Sequence, residues 1–355
     1  MSKPPHLPDG FEVLVDEISE GQYNEACCGF RDATIYQTWA YSHARSARAS
    51  TIVLREKGAI RALAQVRITK PPLVPVGIGY LHWGPLWQAA EVGKDYQILS
   101  TMLRAIRNEY VRRRRLFLLV RPNLYDIHAD AGRIFSHFLK EGYFFLGSDI
   151  QVALLDLTKS MEGLRQGLRP PWRRHLRAAE RVQLRVTDGH DLDTLRRFRV
   201  IYEEMASRKC MRRMDVNTFE EVYRSLPLSL RPQIRLCWHD GDVVAAGVFS
   251  ITGKKAIYLH GATSNAAIER RLNAGHFLHW SFVEWLSERG FEEYDLAGAN
   301  PDRNGGTYQF KAGLCGTKWR NGCMANMWLF GSCAGGLKRS AISALLKRRV
   351  GVQGP

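Results

Sequence analysis

Two side chains in the second half of the sequence, Lys311 and Asp295, are the best candidates for catalysis. A buried lysine ammonium supplies positive charge and hydrogen-bond donors, so Lys311 could stabilise an oxyanion, a contribution of about 3–4 kcal/mol for one well-placed donor. Asp295 lies near the end of a predicted apolar strand, where open α/β sheets commonly place ligand contacts. It could accept a proton from an attacking amine, or it could hold the neighbouring turn at 298–300. The sequence leaves both roles open.

Three histidines, His260, His276 and His279, are alternative bases. His276 and His279 are three residues apart on one predicted helix, beside Phe277 and Trp280. A histidine among apolar neighbours is usually a packing residue with a satisfied ring nitrogen. Packing is therefore the favoured interpretation for these histidines.

Several groups of arginines could bind phosphate, because the planar guanidinium matches phosphate oxygens. A basic helical stripe with one aromatic side chain, a pattern that suits nucleic-acid contact, is formed by Trp172, Arg173, Arg174, Arg177 and Arg181. Another four basic residues, at 112–115, end a predicted helix and are interpreted as a solvated face that is favourable to the helix dipole.

Two further basic segments lie later in the chain. Arg208 and Arg212 are four residues apart, so one helical face could present both to an acceptor phosphate. Near the C-terminus, Lys338, Arg339 and the run at 347–349 flank apolar residues. Such a basic amphipathic tail could touch anionic lipid, so peripheral contact with the inner membrane surface is an open possibility.

The overall charge also favours an anionic partner. The chain has 51 Lys and Arg against 35 Asp and Glu, a net charge of +16. An excess of this sign attracts polyanions, so tRNA, a nucleotide cofactor or a lipid pyrophosphate is a plausible partner. The alternative is that the charge serves solubility alone.

The remaining bulk features predict a cytoplasmic protein. The N-terminus is polar and rich in proline, unlike a secretory signal, and no apolar stretch is long enough to span a membrane. The seven cysteines are scattered without C-x₂-C spacing, so reduced thiols are expected and no metal site is predicted.

The same order of strands and helices is predicted in both halves of the 355-residue chain. Each half begins with a hairpin, at Lys57-Gly58 or Asp240-Gly241, followed by a strand, an amphipathic helix, a strand, a helix and a closing strand. The predicted strands are 51–55, 60–68, 80–84, 116–121 and 149–155, then 234–239, 243–251, 258–261, 294–298 and 323–330; the main helices are 96–113 and 273–289.

This order predicts an α/β fold with two tandem domains, each a mixed sheet flanked by helices. The expected domains are 1–158 and 159–355, with a connecting segment at 159–171 that contains two glycines and two prolines. The basic tail could pack back on the first domain.

GNAT acyltransferases share this element order, and several motifs resemble the Fem-type aminoacyltransferases, which contain two tandem GNAT-like domains. The resemblance extends from about residue 36 to 330. It is carried by Tyr258-Leu-His-Gly-Ala-Thr-Ser264, Tyr294-Asp295-Leu296-Ala297-Gly298, Phe310-Lys311-x-Gly313, Gln37-Thr-Trp39 and Trp83-Gly84-Pro85.

The resemblance implies roles for individual residues. Lys311 would contact the oxyanion or the tRNA end, and Arg208 would bind an acceptor phosphate. Tyr258 and Trp39 would lie in the substrate site, and His43 stands where the family often has a phosphate-binding lysine. A histidine there would bind phosphate more weakly near neutral pH, which argues against a pyrophosphoryl-lipid acceptor.

The sequence departs from the family pattern in two places. Trp83 stands where the family usually has arginine. The long two-helix arm of some members has no counterpart, since 190–225 is predicted to hold only a modest helical stretch, and use of tRNA therefore stays open.

No tightly bound cofactor is predicted. GNAT enzymes that use acyl-CoA bind its pyrophosphate on a Q/R-x-x-G-x-G/A loop at a helix start. The expected segment here is 270–275, where Arg271, Asn273 and Gly275 are the candidate contacts, and only Arg271 and a displaced glycine fit the pattern.

Three functions follow from these features. The first is an acyltransferase that forms an amide bond between an aminoacyl-tRNA donor and an amine acceptor, which could be a peptidoglycan precursor or a small molecule. The second is a CoA-dependent N-acyltransferase that acts on an amino sugar or a related amine. The third is a non-enzymatic protein that binds tRNA or a membrane.

Overall fold

A computed structural model of the chain describes residues 8–45, 48–70, 76–210, 216–302, 304–316 and 324–334. The chain forms two compact units, the first from Met1–Ile150 with Asn326–Pro355 and the second from Gln151–Ala325. The predicted basic tail lies outside the described residues.

The first unit contains seven complete strands and parts of two others, one of which comes from near the end of the chain. Its strands are β1 (Phe11–Val15), β2 (Ala49–Glu56), β3 (Ala59–Thr69), β4 (Ile78–His82), β5 (Gln88–Ala89), β6 (Gly93–Lys94), β7 (Phe117–Arg121) and the start of β8 (Phe144–Asp156), and most of β14 (Met324–Ser332) joins them. Its helices are α1 (Glu20–Cys28), α2 (Trp39–Arg45), α3 (Tyr96–Ile106), extended by a π-helical segment (Arg107–Arg113), and α4 (Ala131–Lys140), with a 3-10 turn at Ile35–Gln37.

The second unit starts within β8. Its other strands are β9 (Arg185–Gly189), β10 (Gln233–His239), β11 (Asp242–Thr252), β12 (Lys255–Thr263) and β13 (Glu293–Gly298). Its helices are α5 (Met161–Gly167), α6 (Pro170–Glu180), α7 (Leu192–Arg208), α8 (Val216–Ser225), α9 (Asn265–Glu269), α10 (Ala274–Glu288) and α11 (Gly305–Cys315), with a 3-10 turn at Leu228–Leu230.

Both predicted hairpins are present, and their turns have the same backbone conformation. Lys57 and Gly58 have φ of 50° and 86°, and Asp240 and Gly241 have φ of 51° and 85°. A two-residue turn with positive φ at both positions matches the twist of the flanking strands, and glycine adopts it without steric cost. The hairpins β2–β3 and β10–β11 are thus determined locally.

Each unit is a mixed sheet with helices packed on it. In the first unit the strand order is β1-β2-β3-β4-β7-β14 followed by β8. All pairs in this order from β1 to β14 are antiparallel except the parallel pair β4–β7. Helices α3 and α4 cover the sheet, and their core residues include Leu103, Ile106 and Phe138.

In the second unit the strand order is β8-β13-β12-β11-β10-β9, and only β12–β13 is parallel. Helices α10 and α11 contribute Trp280, Phe282 and Leu314 to a core that also contains Trp172 of α6. This is the α/β architecture that the sequence predicted, with two similar sheet-and-helix units.

The closing strands differ from the prediction. The segment predicted to close the second half, β14, pairs with β7 in the first unit, and residues of β8 pair with β13 in the second unit. The unpaired backbone N–H and C=O groups of each sheet can be satisfied by either closing strand, β8 or β14. The local sequence of a closing strand therefore does not specify which sheet it joins. The change from one unit to the other therefore occurs within β8 rather than at 159–171.

The predicted connecting segment is mostly helical. It contains α5 and the start of α6, where Pro170 and Pro171 occupy the first helical positions. Proline is favoured there because its missing N–H would have no intrahelical partner. The interval 190–225 likewise holds two helices, α7 and α8, rather than one modest helical stretch.

Among the described residues, no helix has the length and apolar character needed to cross a membrane.

Candidate active site

The second unit contains an opening between its two parallel strands. β12 pairs with β13 only where Lys255–Ile257 faces Glu293–Asp295. β12 then continues to Thr263 beside β11 without further ladder pairs to β13 in the described structure. The two strands therefore separate beyond Ile257 and Asp295, and a ligand could enter between them.

Lys311 lies at this opening on α11. The helix starts at an Asn304 cap, whose side-chain oxygen accepts the Thr307 N–H at 3.0 Å. Only 5% of Lys311 is exposed. Its Nζ donates to the carbonyl oxygen of Gly298, at the end of β13, with a distance of 2.6 Å. The ammonium of Lys311 is thus held at the point where β12 and β13 diverge.

Burial lowers the pKa of Lys311 from 10.5 to about 8, although the negative charge of Asp295 acts in the opposite direction. A lysine with this pKa is still mostly protonated at pH 7. An ammonium has three N–H donors, and one of them is used by Gly298. Lys311 can therefore offer positive charge and further donors to a reacting oxygen.

Asp295 is completely buried at the last β12–β13 pair. Its Oδ1 accepts the Ala297 N–H at 2.6 Å, and Ala297 has a positive φ of 60°. A carboxylate that bonds a backbone amide two residues ahead stabilises a turn. This geometry supports the second predicted role, in which Asp295 holds the end of β13, and its charge also favours the protonated form of Lys311.

Tyr258 forms another wall of the opening. The Lys311 Nζ lies 5.8 Å from the centre of the Tyr258 ring. A Cβ at Gly261 would be 1.9 Å from the Tyr258 hydroxyl oxygen, so the third residue after Tyr258 must be glycine for this side chain to keep its position. Burial raises the pKa of the Tyr258 phenol, which remains protonated at neutral pH.

The histidines of α10 pack behind the site. The His279 Nδ1 is 2.8 Å from the Tyr294 hydroxyl, and its ring contacts those of Tyr258 and Phe310. Burial lowers the pKa of both His276 and His279 to about 3, and the Lys311 charge acts in the same direction on His279. Bases this weak suit the predicted packing role rather than proton abstraction.

Histidine 260 also has aromatic neighbours. Its ring lies 6.1 Å from that of Tyr202 and 5.6 Å from that of Phe219. These partners come from α7 and α8, so His260 faces the helices that cover β12.

Trp172 was predicted to contact nucleic acid as part of the basic helical stripe, but the structure places its side chain in the core. Only 3% of Trp172 is exposed, and its ring packs on Phe310 at 5.8 Å and on His276 at 4.9 Å. A Cβ at Gly313 would lie 2.6 Å from the indole, so the glycine of the Phe-Lys motif leaves room for it. An amphipathic helix turns its largest apolar side chain inward, so Trp172 holds α6 against α11.

The arginines predicted beside Trp172 are in two environments. Arg173 donates to the carbonyl oxygens of Gln166 and Leu168 at 2.5 and 2.9 Å, so it stabilises the end of α5. Arg174 and Arg177 are exposed on the outer face of α6.

Arg208 lies at the far end of β12. Its guanidinium donates to the Thr263 carbonyl oxygen at 2.9 Å and to the Asn265 side chain. It is exposed and close to the end of the opening's longer strand, where a phosphate could reach it. Arg212, the predicted partner of Arg208, lies outside the described residues.

The predicted cofactor loop leads into α10. Arg271 and Asn273 both have positive φ, 53° and 54°, and the Asn273 amide donates to the Arg271 carbonyl oxygen at 3.0 Å. A Cβ at Gly275 would be 3.5 Å from the Thr263 hydroxyl, so the start of α10 lies beside the end of β12. This segment is at the position expected for a pyrophosphate loop, but it contains a single glycine.

Trp39 and His43 are in the first unit, on α2. Their rings stack at 4.4 Å, and the His43 Nδ1 is 2.9 Å from the Trp39 carbonyl oxygen. His43 is exposed and Trp39 is half-buried. The two residues thus act as one stacked pair.

Two features of the site were missed by sequence reasoning. One is the Gly298 carbonyl oxygen as the partner of Lys311, and the other is the bond between Tyr294 and His279. Both involve residues in or near the recognised motifs. Their spacing in sequence carries no signal for the contact, because it depends on how α10 and α11 pack on β13.

Within the described part of the chain, no group of three or more His, Cys, Asp or Glu side chains is placed to hold a metal ion.

Comparisons with known proteins agree with the fold. Residues 166–312 match the family model of an acetyltransferase (GNAT) domain. The crystal structure of FemX has a TM-score of 0.73 and 15% identity, and the match covers 95% of this chain and 100% of FemX. No match was found among curated protein sequences.

Two further solved structures are also similar. The C-terminal domain (DUF2156) of a putative lysylphosphatidylglycerol synthetase from Agrobacterium fabrum has a TM-score of 0.61 at 17% identity, covering 95% of this chain and 100% of that one. L-PGS from Bacillus licheniformis has a TM-score of 0.54 at 14% identity, covering 82% and 87%.

These matches confirm the predicted tandem GNAT-like fold and replace the non-enzymatic alternative. The acetyltransferase (GNAT) domain matched at 166–312 indicates an acyltransferase, and the chain as a whole has a fold similar to that of FemX.

Proposed function

We propose that the chain transfers an aminoacyl group from aminoacyl-tRNA to an amine, with the reaction at the opening between β12 and β13. The observation that carries this proposal is the buried Lys311 ammonium, fixed at the divergence of the strands by its bond to Gly298. A positive charge shielded from water at this position suits a reaction in which an oxygen becomes negative.

The reaction is the attack of an amine nitrogen on the carbonyl carbon of an aminoacyl ester. A C–N bond forms, the carbonyl oxygen gains negative charge, and the ester C–O bond then breaks. The proton lost by the amine is balanced by the proton gained by the ribose oxygen that leaves. Lys311 stabilises the oxyanion with the N–H donors that Gly298 does not use.

Asp295 acts here as a positioning residue. It fixes the backbone that carries the Gly298 carbonyl and favours the charged form of Lys311. Tyr258 limits the space beside the ammonium and keeps its hydroxyl proton at neutral pH.

The acceptor is an amine on a molecule that carries phosphate. Arg208 supports this choice, because its exposed guanidinium lies at the end of β12 and could pair with phosphate oxygens. The similarity in fold to a domain named as a putative lysylphosphatidylglycerol synthetase supports an acceptor that carries a phosphate group at a lipid surface. In this proposal the protein works in the cytoplasm, where aminoacyl-tRNA is available.

An acyl-CoA donor is the second candidate, and one observation favours it. The start of α10 lies beside the end of β12, where Gly275 approaches Thr263, as a helix N-terminus that binds pyrophosphate would require. Against it, the loop has one glycine, and the Asn273 side chain is bonded to the loop itself.

The donor can be tested with purified protein, cell extract as the source of acceptor, and two labelled donor pools. One pool is tRNA charged with labelled amino acids, and the other is labelled acyl-CoA. We expect label to pass from charged tRNA into an alkali-stable amide. RNase treatment of the charged tRNA before the assay should abolish this transfer. Transfer from acyl-CoA that RNase does not affect would contradict the proposal and support the second candidate.

A further inference from the structure

One face of α6 carries arginines that have no partner within the described structure. Arg174, Arg177 and Arg181 are exposed, and their side chains make no ion pair or hydrogen bond with any described residue. Arg174 and Arg177 lie on α6 and Arg181 is its C-cap, which keeps helical backbone angles. Spacings of three and four residues therefore place the three on one side, over about 10 Å along the helix axis. The acidic residue of this segment, Glu180, pairs with Arg165 at 2.5 Å. The outer face of α6, which we call the α6 stripe (Arg174, Arg177 and Arg181), is therefore uncompensated positive charge.

Several other arginine-rich surfaces among the described residues are partly neutralised by neighbouring acids. In the first unit, Arg113 and Arg114 both pair with Glu109 at 2.6 Å. The run at 112–115, interpreted from sequence as a solvated face, is thus partly compensated.

The same holds on α7 and α8. Arg197 pairs with Asp193 at 3.0 Å, Arg199 with Glu203 at 2.7 Å, and Arg224 with Glu220 at 2.5 Å. Compensated pairs on an exposed helix serve solubility and contribute little else. The α6 stripe differs from these surfaces because its charge remains available to an external anion.

The buried face of α6 is attached to the helix that carries Lys311. Trp172 packs on Phe310 and fits against Gly313, and the Arg169 N–H donates to the Gly313 carbonyl oxygen at 3.0 Å. Phe310 and Gly313 flank Lys311 on α11. A polyanion bound on the α6 stripe is therefore held one helix away from the reactive lysine.

We propose that the α6 stripe binds the phosphate backbone of RNA, and that in the transferase reaction this RNA is the tRNA body of the donor. The second clause rests on the proposed function, but RNA binding itself does not. Arginine pairs with phosphate oxygens through two parallel N–H donors, and a row of three can follow consecutive phosphates without reading the bases. Trp172 lies inside, so the stripe has no stacking residue at that position, and we expect little sequence preference.

The test compares two triple variants of the full chain with equal loss of charge. The first is Arg174→Gln, Arg177→Gln and Arg181→Gln. The matched control is Arg197→Gln, Arg199→Gln and Arg224→Gln, whose arginines have acidic partners. Fluorescence anisotropy measures the binding of uncharged tRNA between 50 and 200 mM salt, and circular dichroism checks that each variant is folded.

We expect the α6 variant to bind tRNA more weakly and with a smaller salt dependence. Each lost phosphate contact lowers the slope of log K against log salt by about 0.7–0.9, so the three substitutions should reduce it by about 2. The control should keep the slope of the unmodified protein. In transfer assays with charged tRNA, the α6 variant should show a raised KM for the donor and an unchanged kcat.

Equal salt slopes for the two variants would overturn the proposal. So would a loss of binding to phosphatidylglycerol vesicles with tRNA binding unchanged, since the stripe would then be a membrane contact. If tRNA binding depends on the stripe but no aminoacyl transfer occurs, the proposed function fails while this inference stands. If transfer occurs equally well in both variants and tRNA binding is equal, the inference fails while the proposed function stands.

Discussion

The two parallel strand pairs of the molecule have the same topology but different extents. In the first unit, β4 and β7 pair along their whole length, from Ile78 with Phe117 to His82 with Arg121. In the second unit, β12 and β13 form three pairs and then separate. Within the described residues, the parallel strands stay paired in the first unit and separate in the second, where the proposed reaction would take place.

The lysines at corresponding places show the same contrast. Lys140 precedes Gly142 by two residues, as Lys311 precedes Gly313. Helix α4 ends at Lys140, which is exposed, whereas α11 continues to Cys315 and Lys311 is 5% exposed. An exposed lysine keeps its ordinary hydration, whereas burial makes the charge of Lys311 available for a reacting group.

The largest effect should come from removing the ammonium of Lys311. Lys311→Met keeps the length and apolar stem of the side chain but loses the charge and the donors. We expect turnover to fall by about 10²–10³, as when one oxyanion donor is removed. Labelled transfer under single-turnover conditions measures this. The matched control is Lys140→Met, which should leave turnover unchanged. An equal loss of turnover in both variants would contradict the special role of Lys311.

A smaller effect is expected from pH, because the pKa of Lys311 is lowered to about 8. If the ammonium is the active form, turnover should fall about tenfold for each pH unit above this value. Lys311→Arg stays protonated, so the alkaline fall should disappear in any turnover that this variant retains. A pH profile that stays flat from 7 to 10 in the unmodified protein would contradict this assignment.

Stability should change with pH in the opposite direction. Between pH 8 and 10.5 the unfolded chain holds the Lys311 proton more tightly than the folded chain, since the folded pKa is the lower one. The free energy of unfolding, relative to Lys311→Met, should therefore rise with pH across this window. Urea denaturation at several pH values measures it.

The smallest effect on activity is expected in the first unit. Burial raises the pKa of Asp32 to about 6, and its oxygens accept the N–H groups of Trp87 at 3.0 Å and Gln88 at 3.2 Å. Its folded pKa exceeds the ordinary 3.8, so its contribution to stability is complete below that value and is lost as pH rises through 6. Asp32→Asn should remove this pH dependence, measured by urea denaturation, and leave turnover unchanged. A large loss of turnover in a folded Asp32→Asn protein would show that the first unit shares in the chemistry.

Sequence reasoning succeeded where the signal was local. The turns Lys57-Gly58 and Asp240-Gly241 require positive φ, and the alternating strands on either side determine the hairpins. The motif around Lys311 and the strand that carries Asp295 also lie where the repeat placed them. The outer strands β1 and β9 were not predicted, because short edge strands have weak apolar alternation.

Sequence reasoning failed where the signal depended on packing between distant segments. In α6 the exposed arginines face outward and Trp172 is buried, but the sequence predicted nucleic-acid contact for all of them. Because Trp172 is buried against Gly313, its role in packing differs from that of the exposed arginines. Likewise, only the tertiary structure assigns Arg173 to the end of α5.

The sequence by itself determined the repeated α/β order and the hairpins, because these depend on periodicity and turn residues, and side-chain chemistry made Lys311 the candidate for stabilising an oxyanion. The tertiary structure alone decided which closing strand pairs with which sheet, and where β12 and β13 part. It also decided that Gly298 holds the Lys311 ammonium in a buried place. These outcomes depend on contacts between residues far apart in the chain, for which local patterns carry no information.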